Sequence, residues 1–140
     1  MEIKNQICSI RQAEQLKELG INWPSYFVFD TNDAKVVEVW MIDGTESEFV
    51  NAYTAAELYQ GLPEFLTKDG KEYRFKIWRY EEDGASYFSC CYECRHIESF
   101  RLPKFSVDGR TQASCYAEML IALFKEGYIT PDQVNEKLSR

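Results

Sequence analysis

At 140 residues the chain carries 23 acidic against 16 basic side chains, a formal charge of −7, and that balance disfavours nonspecific DNA binding, whose affinity comes mainly from phosphate neutralisation. No apolar run approaches the roughly eighteen residues that a membrane-spanning helix needs, and the first residues, MEIKNQICSIRQ, lack a basic-then-apolar signal pattern. The sequence therefore reads as one cytoplasmic domain over 1–140, with five cysteines whose odd count and reducing surroundings predict free thiols and no cofactor.

In chain order, Ser9 with Gln12 three residues later forms a capping box, so a helix is expected from Ile10. Ile10, Ala13, Leu16 and Leu19 give it an apolar stripe, and Gly20 supplies its stop. Residues 25–30, SYFVFD, read as a strand, 31–34 as a turn, and 35–42, KVVEVWMI, as the antiparallel mate. Residues 43–51 look like an exposed acidic loop. Thr54 with Glu57 opens a short helix that Gly61 and Pro63 end. Residues 71–80, KEYRFKIWRY, alternate as a strand, 81–84 turn, and 85–93 return as its partner. Residues 95–110 predict an irregular connection or another edge strand.

The stretch 111–127, TQASCYAEMLIALFKEG, is the longest amphipathic run. Thr111 can cap it, and Gly127 can end it in a left-handed conformation. Ala113, Ala117, Leu120 and Phe124, widened by Tyr116, Ile121 and Leu123, make a core-facing stripe. Thr130, Pro131 and Gln133 then form a third capping box with proline at the first helical position. The expectation is an α+β fold: an antiparallel sheet of about four strands, made of two hairpins, with three to four helices packed mainly on one face.

Three segments, CSIRQAEQLKELGIN (8–22), AYTAAELYQGLP (52–63) and ASCYAEMLIALFKEGYI (113–129), resemble in order and spacing a family of small uncharacterised proteins encoded by phages and prophages. Ser114, Tyr116 and Glu118 depart from that family's pattern of acidic and basic residues early in the last long helix. The resemblance implies a mobile-element origin and carries no activity or catalytic residue with it.

Among candidates for chemistry, Cys91 and Cys94 have the C-x-x-C spacing of a zinc knuckle, with His96 as a third ligand and Cys90, Cys8 or Cys115 as a fourth. A strand would place residues three apart on opposite faces, which argues against that site. A thioredoxin-like pair would need a helix after the cysteines, and a Cys94–His96 nucleophile pair lacks an orienting carboxylate. Arg74, Lys76, Trp78, Arg79 and Tyr80 interleave bases with aromatics, the ingredients of a single-strand stacking platform. Residues 43–70 carry a net −5 and residues 71–79 a net +3. Glu46 and Glu48 in the acidic stretch, with Tyr26, Trp40, Tyr53 and Tyr59, could face a cationic protein. The leading expectation is a noncatalytic accessory protein that contacts an unidentified protein partner. The alternative is a nucleic-acid-associated module using strand 71–80, with a small zinc site. An enzyme ranks third.

Overall fold

Two Asp-Gly dipeptides set the larger sheet. Asp69 and Gly70 have φ of 52° and 75°, and Asp83 and Gly84 have 51° and 78°, so both pairs make the two-residue turns whose twist suits a hairpin. The first joins β4 (Phe65–Lys68) to β5 (Lys71–Glu82), and the second joins β5 to β6 (Ala85–Cys94). With β7 (Arg101–Gly109) these strands form an antiparallel meander in the order β4-β5-β6-β7. In the computed structural model the residues described are 6–23, 25–32, 35–38, 49–94 and 101–138, with backbone alone at 101–105 and 138. A smaller sheet has β1 (Phe27–Asp30) between β2 (Val36–Glu38) and β3 (Phe49–Asn51), again antiparallel.

Each helix starts where a side chain can satisfy an orphan amide. Ser9 and Gln12 bond reciprocally at the head of α1 (Ile10–Glu18), and Thr54 and Glu57 do so at α2 (Ala55–Gly61). Thr111 accepts from Ser114 N–H at 3.0 Å to open α3 (Gln112–Lys125). Thr130 and Gln133 exchange bonds at the head of α4 (Pro131–Leu138). At the other end of α3, Gly127 takes φ 77° and Tyr128 N–H reaches back to Leu123 O at 2.9 Å, which closes the last turn.

Helix α3 is central. Ala113, Cys115, Tyr116, Ala117, Met119, Leu120, Ile121 and Leu123 are all buried, because the helix packs on β6 and β7 with one side and on α1 and α2 with others. Helix α4 packs on α2. Phe29 and Val50 of the small sheet join the same core as Leu66, Tyr73 and Tyr92 of the large one. A buried amide ties α1 to α3: Gln12 Nε2 donates to Ser114 O, Ser114 Oγ and Glu118 Oε1 at 3.0, 3.1 and 2.8 Å.

The α+β architecture and all four helices agree with the sequence reading. The two expected hairpins form but enter different sheets, and each sheet gains strands. Phe49–Asn51, expected as the end of a loop, is β3, since Val50 buries its side chain while the backbone pairs with Val28–Asp30. Residues 101–109 are an edge strand, and the edge position tolerates Pro103, which has no N–H to give to a neighbour. The segment 65–68 is a strand that the sequence reading passed over. No described helix is long and apolar enough to cross a membrane.

A close backbone approach lies between α3 and the end of β7. A Cβ on Gly109 would stand 2.5 Å from Cys115 N and 2.9 Å from Cys115 Cα. Gly109→Ala is therefore expected to lower stability by about 1–3 kcal/mol through overpacking, read as a fall in the urea midpoint with little change in slope. An unchanged midpoint would mean that α3 does not press on β7 in solution.

Candidate functional site

The register of β5 against β6 assigns each candidate side chain on these two strands to a face. Tyr73, Phe75, Ile77 and Arg79 pair with Cys94, Tyr92, Cys90 and Phe88, and this row looks toward the helices. Arg74, Lys76, Trp78 and Tyr80 pair with Glu93, Cys91, Ser89 and Tyr87 on the opposite face. Cys91 and Cys94 therefore point to opposite sides of β6, and one ion cannot bridge them. Cys90 turns to α3 instead. His96 lies outside the described residues, and among those described no three His, Cys, Asp or Glu side chains are grouped to hold a metal.

The five thiols are all buried. Burial pushes the Cys8 thiol up to about 12, with the negative charge of Glu57 adding to it against two backbone hydrogen bonds. Burial likewise pushes the Tyr53 hydroxyl up to about 12, beside hydrogen bonds that join Asn51, Tyr53 and the Trp23 carbonyl. Of the aromatics expected at a surface, Tyr26 and Tyr59 are 76% and 55% exposed, whereas Tyr53 is buried. Trp40, Glu46 and Glu48 lie outside the described residues.

The basic strand divides. Arg74, Lys76, Trp78 and Tyr80 share the face away from the helices, while Arg79 is on the other, where it donates to Ser86 Oγ at 2.9 Å. Arg79 there borders a cavity of about 870 Å3 with Phe88 and the first turns of α2 and α3. On the outer face Lys76 lies 3.7 Å from Glu93, and Glu72 and Glu82 of the same strand, with Asp108 across from Ser89, add further carboxylates. Tyr80 stacks on Tyr87 with ring centres 5.4 Å apart, and the Arg110 guanidinium lies 5.0 Å from the Tyr87 ring. The bases of β5 thus sit among enough acids to remove the net positive field that a nucleic-acid platform needs.

What the sequence reading missed is an edge. Strand β5 has twelve residues, but β4 pairs only with Lys71–Arg74. The turn at Asp83–Gly84 closes on the Glu82–Ala85 pair, so even-numbered residues of β5 bond to β6 and odd-numbered ones turn their N–H and C=O outward. Phe75 N–H still finds Glu64 O at 3.1 Å. Beyond it, Ile77, Arg79 and Glu81 have no described strand beside them. Where β4 stops, a concavity of about 630 Å3 opens, lined by Phe65, Arg74, Phe75, Lys76, Ile77, Glu93 and Cys94, and Phe65 is 43% exposed there.

The raised pKa values fix a sign for alkaline stability. Cys8 and Tyr53 stay neutral in the fold above the pH at which they ionise when unfolded, from ordinary values of 9.0 and 10.0. Their contribution is whole below pH 9 and is lost as pH climbs toward about 12. Urea titrations at stepped pH should show stability falling across that window, with a shallower fall in Cys8→Ala. An equal slope in the variant would mean that the thiol already ionises inside the fold.

No protein-family model matches this chain, and no curated protein or solved structure matches it either.

Proposed function

We propose that the protein is a noncatalytic accessory protein, of the mobile-element kind that its sequence resembles, and that it works by protein–protein contact at the free edge of β5. The partner supplies an extended segment that adds beside Ile77–Glu81 and places an apolar side chain in the concavity next to Phe65 and Phe75. The observation that carries this reading is the run of outward-facing backbone groups on β5 past the end of β4. An added strand would satisfy those groups directly, which is how exposed sheet edges capture peptides. Buried thiols support the noncatalytic part, since a nucleophile must be reached by its substrate. The nucleic-acid alternative has less support, because Glu72, Glu82, Glu93 and Asp108 surround Arg74 and Lys76 on the outer face.

A photo-crosslinking residue in place of Glu81 tests this in native host lysate treated with nuclease, with the same residue at Lys17, exposed on α1, as the control. A discrete heterologous protein adduct is expected at 81 and not at 17. Ile77→Lys, which puts a charge into the edge, should reduce it at least tenfold. Identical adducts at both positions, a signal lost with nuclease, or an adduct of two copies of this chain would each overturn the reading.

A further inference from the structure

The two buried cysteines of the α3–sheet contact lie against each other. Cys90 Sγ and Cys115 Sγ are 3.2 Å apart, inside the roughly 3.5–4.0 Å of an ordinary nonbonded contact. Each is 0% exposed. Cys90 stands in the helix-facing row of β6 between Ile77 and Val107, and Cys115 descends on it from the first turns of α3. The backbone enforces the approach, because Gly109 leaves no Cβ between β7 and Cys115. The Cys90 sulfur also lies 3.8 Å from Cys115 O, and the Cys115 sulfur 3.7 Å from Val107 O.

We propose that Cys90 and Cys115 are an oxidative modification site, which a peroxide converts to an intramolecular disulfide that locks α3 to β6. One sulfur attacks a peroxide oxygen, the O–O bond breaks, and a sulfenic acid and water form. The second sulfur then displaces the sulfenic oxygen as water. In total two S–H bonds break, one S–S bond forms, and hydrogen peroxide becomes two waters. The sulfurs close by about 1.2 Å to reach bonding distance. Cys91, adjacent in sequence, points to the other face of β6 and cannot take either place.

Burial sets the rate. The hydrogen bond to Cys115 and then burial hold the Cys90 proton far more tightly than usual, so the closed fold reacts slowly and oxidation passes through local opening of α3 from the sheet. Re-closure returns the new bond to a site from which bulky thiols are excluded. A small peroxide can therefore write a mark that glutathione erases only when the helix opens.

The test uses the full chain treated with hydrogen peroxide in mild urea, then alkylated under denaturing conditions and read by intact and peptide mass spectrometry. The expected result is the loss of two hydrogens and a cross-linked peptide joining Cys90 to Cys115. The thermal midpoint should rise by about 5–10 °C and return on reduction with dithiothreitol. The triple variant Cys8→Ala, Cys91→Ala, Cys94→Ala should form the same link, and Cys115→Ala should not. Two or three added oxygens without a cross-link, a link through Cys8, Cys91 or Cys94, or thiols that stay reduced until global unfolding would overturn the proposal. If the triple variant does not fold, the peptide map of the unmodified sequence decides alone.

Discussion

The close approach of α3 to β7 at Gly109 is the constraint on which the rest of the fold depends. Helices usually stand off a sheet by the thickness of the side chains between them. Here the missing Cβ lets the helix backbone touch the strand at Cys115. That contact sinks α3 deep enough for α1 and α2 to cover its remaining sides, which is why Met119, Leu120 and Leu123 are at most 1% exposed. Ala113 and Ala117 on the same helix are also fully buried, and their small side chains suit close packing. The rest of the domain is arranged around a helix whose first three turns leave only Gln112 exposed and Ser114, Glu118 and Ala122 half-buried.

So buried a helix creates a difficulty for whatever packs behind it, because α1 approaches with polar residues. Gln12 resolves it. Its amide oxygen accepts from Ser9 N–H in the capping box, and its amide nitrogen serves Ser114 and Glu118. An apolar residue here would take the acceptor from the Ser9 amide and a donor from the Glu118 carboxylate, and buried polar groups left unpaired cost more than the bonds that satisfy them return. One side chain thus caps its own helix and docks it on another. Ser25 plays a comparable part at α2, where its hydroxyl lies 3.1 Å from Ala52 O and 2.7 Å from Glu57 Oε1.

How much of this was legible follows the range of each interaction. Caps are local, so Ser9–Gln12, Thr54–Glu57 and Thr130–Gln133 could be read directly, and the helices begin where those pairs place them. Strand β4 had a local signal in Asp69–Gly70, which matches the later Asp83–Gly84 in kind and conformation. It was obscured because Phe-Leu-Thr-Lys is short and follows Pro63 and Glu64. Strand β3 hid at the end of an acidic stretch. The unpaired stretch of β5 and the Cys90–Cys115 contact had no local signal at all. Which residues of β5 lack a neighbour depends on where another strand stops, and the Cys90–Cys115 contact joins residues that only the folding of α3 onto the sheet brings together.

The point at which β4 stops along β5 is set from within the core. Tyr92, in the helix-facing row beside Phe75, reaches the Pro63 carbonyl with its hydroxyl at 2.5 Å. That bond holds the chain leaving α2 on the helix side of the sheet until Glu64, so β4 cannot begin earlier and run along the rest of β5. Pro63 reinforces this by offering no N–H for pairing. Among the described residues no strand pairs with Ile77, Arg79 and Glu81, and a sheet edge left without a strand is a template on which another chain can pair. The edge here is guarded lightly: Arg79 and Glu81 bear charges, but the strand is long and continues a well-ordered sheet. A bulge or a proline would have closed it, as Pro103 and the register shift near Cys90 do for the opposite edge at β7. Among the described strands the two edges of this sheet thus differ: β7 carries a proline and a register shift, and β5 carries neither beyond Arg74.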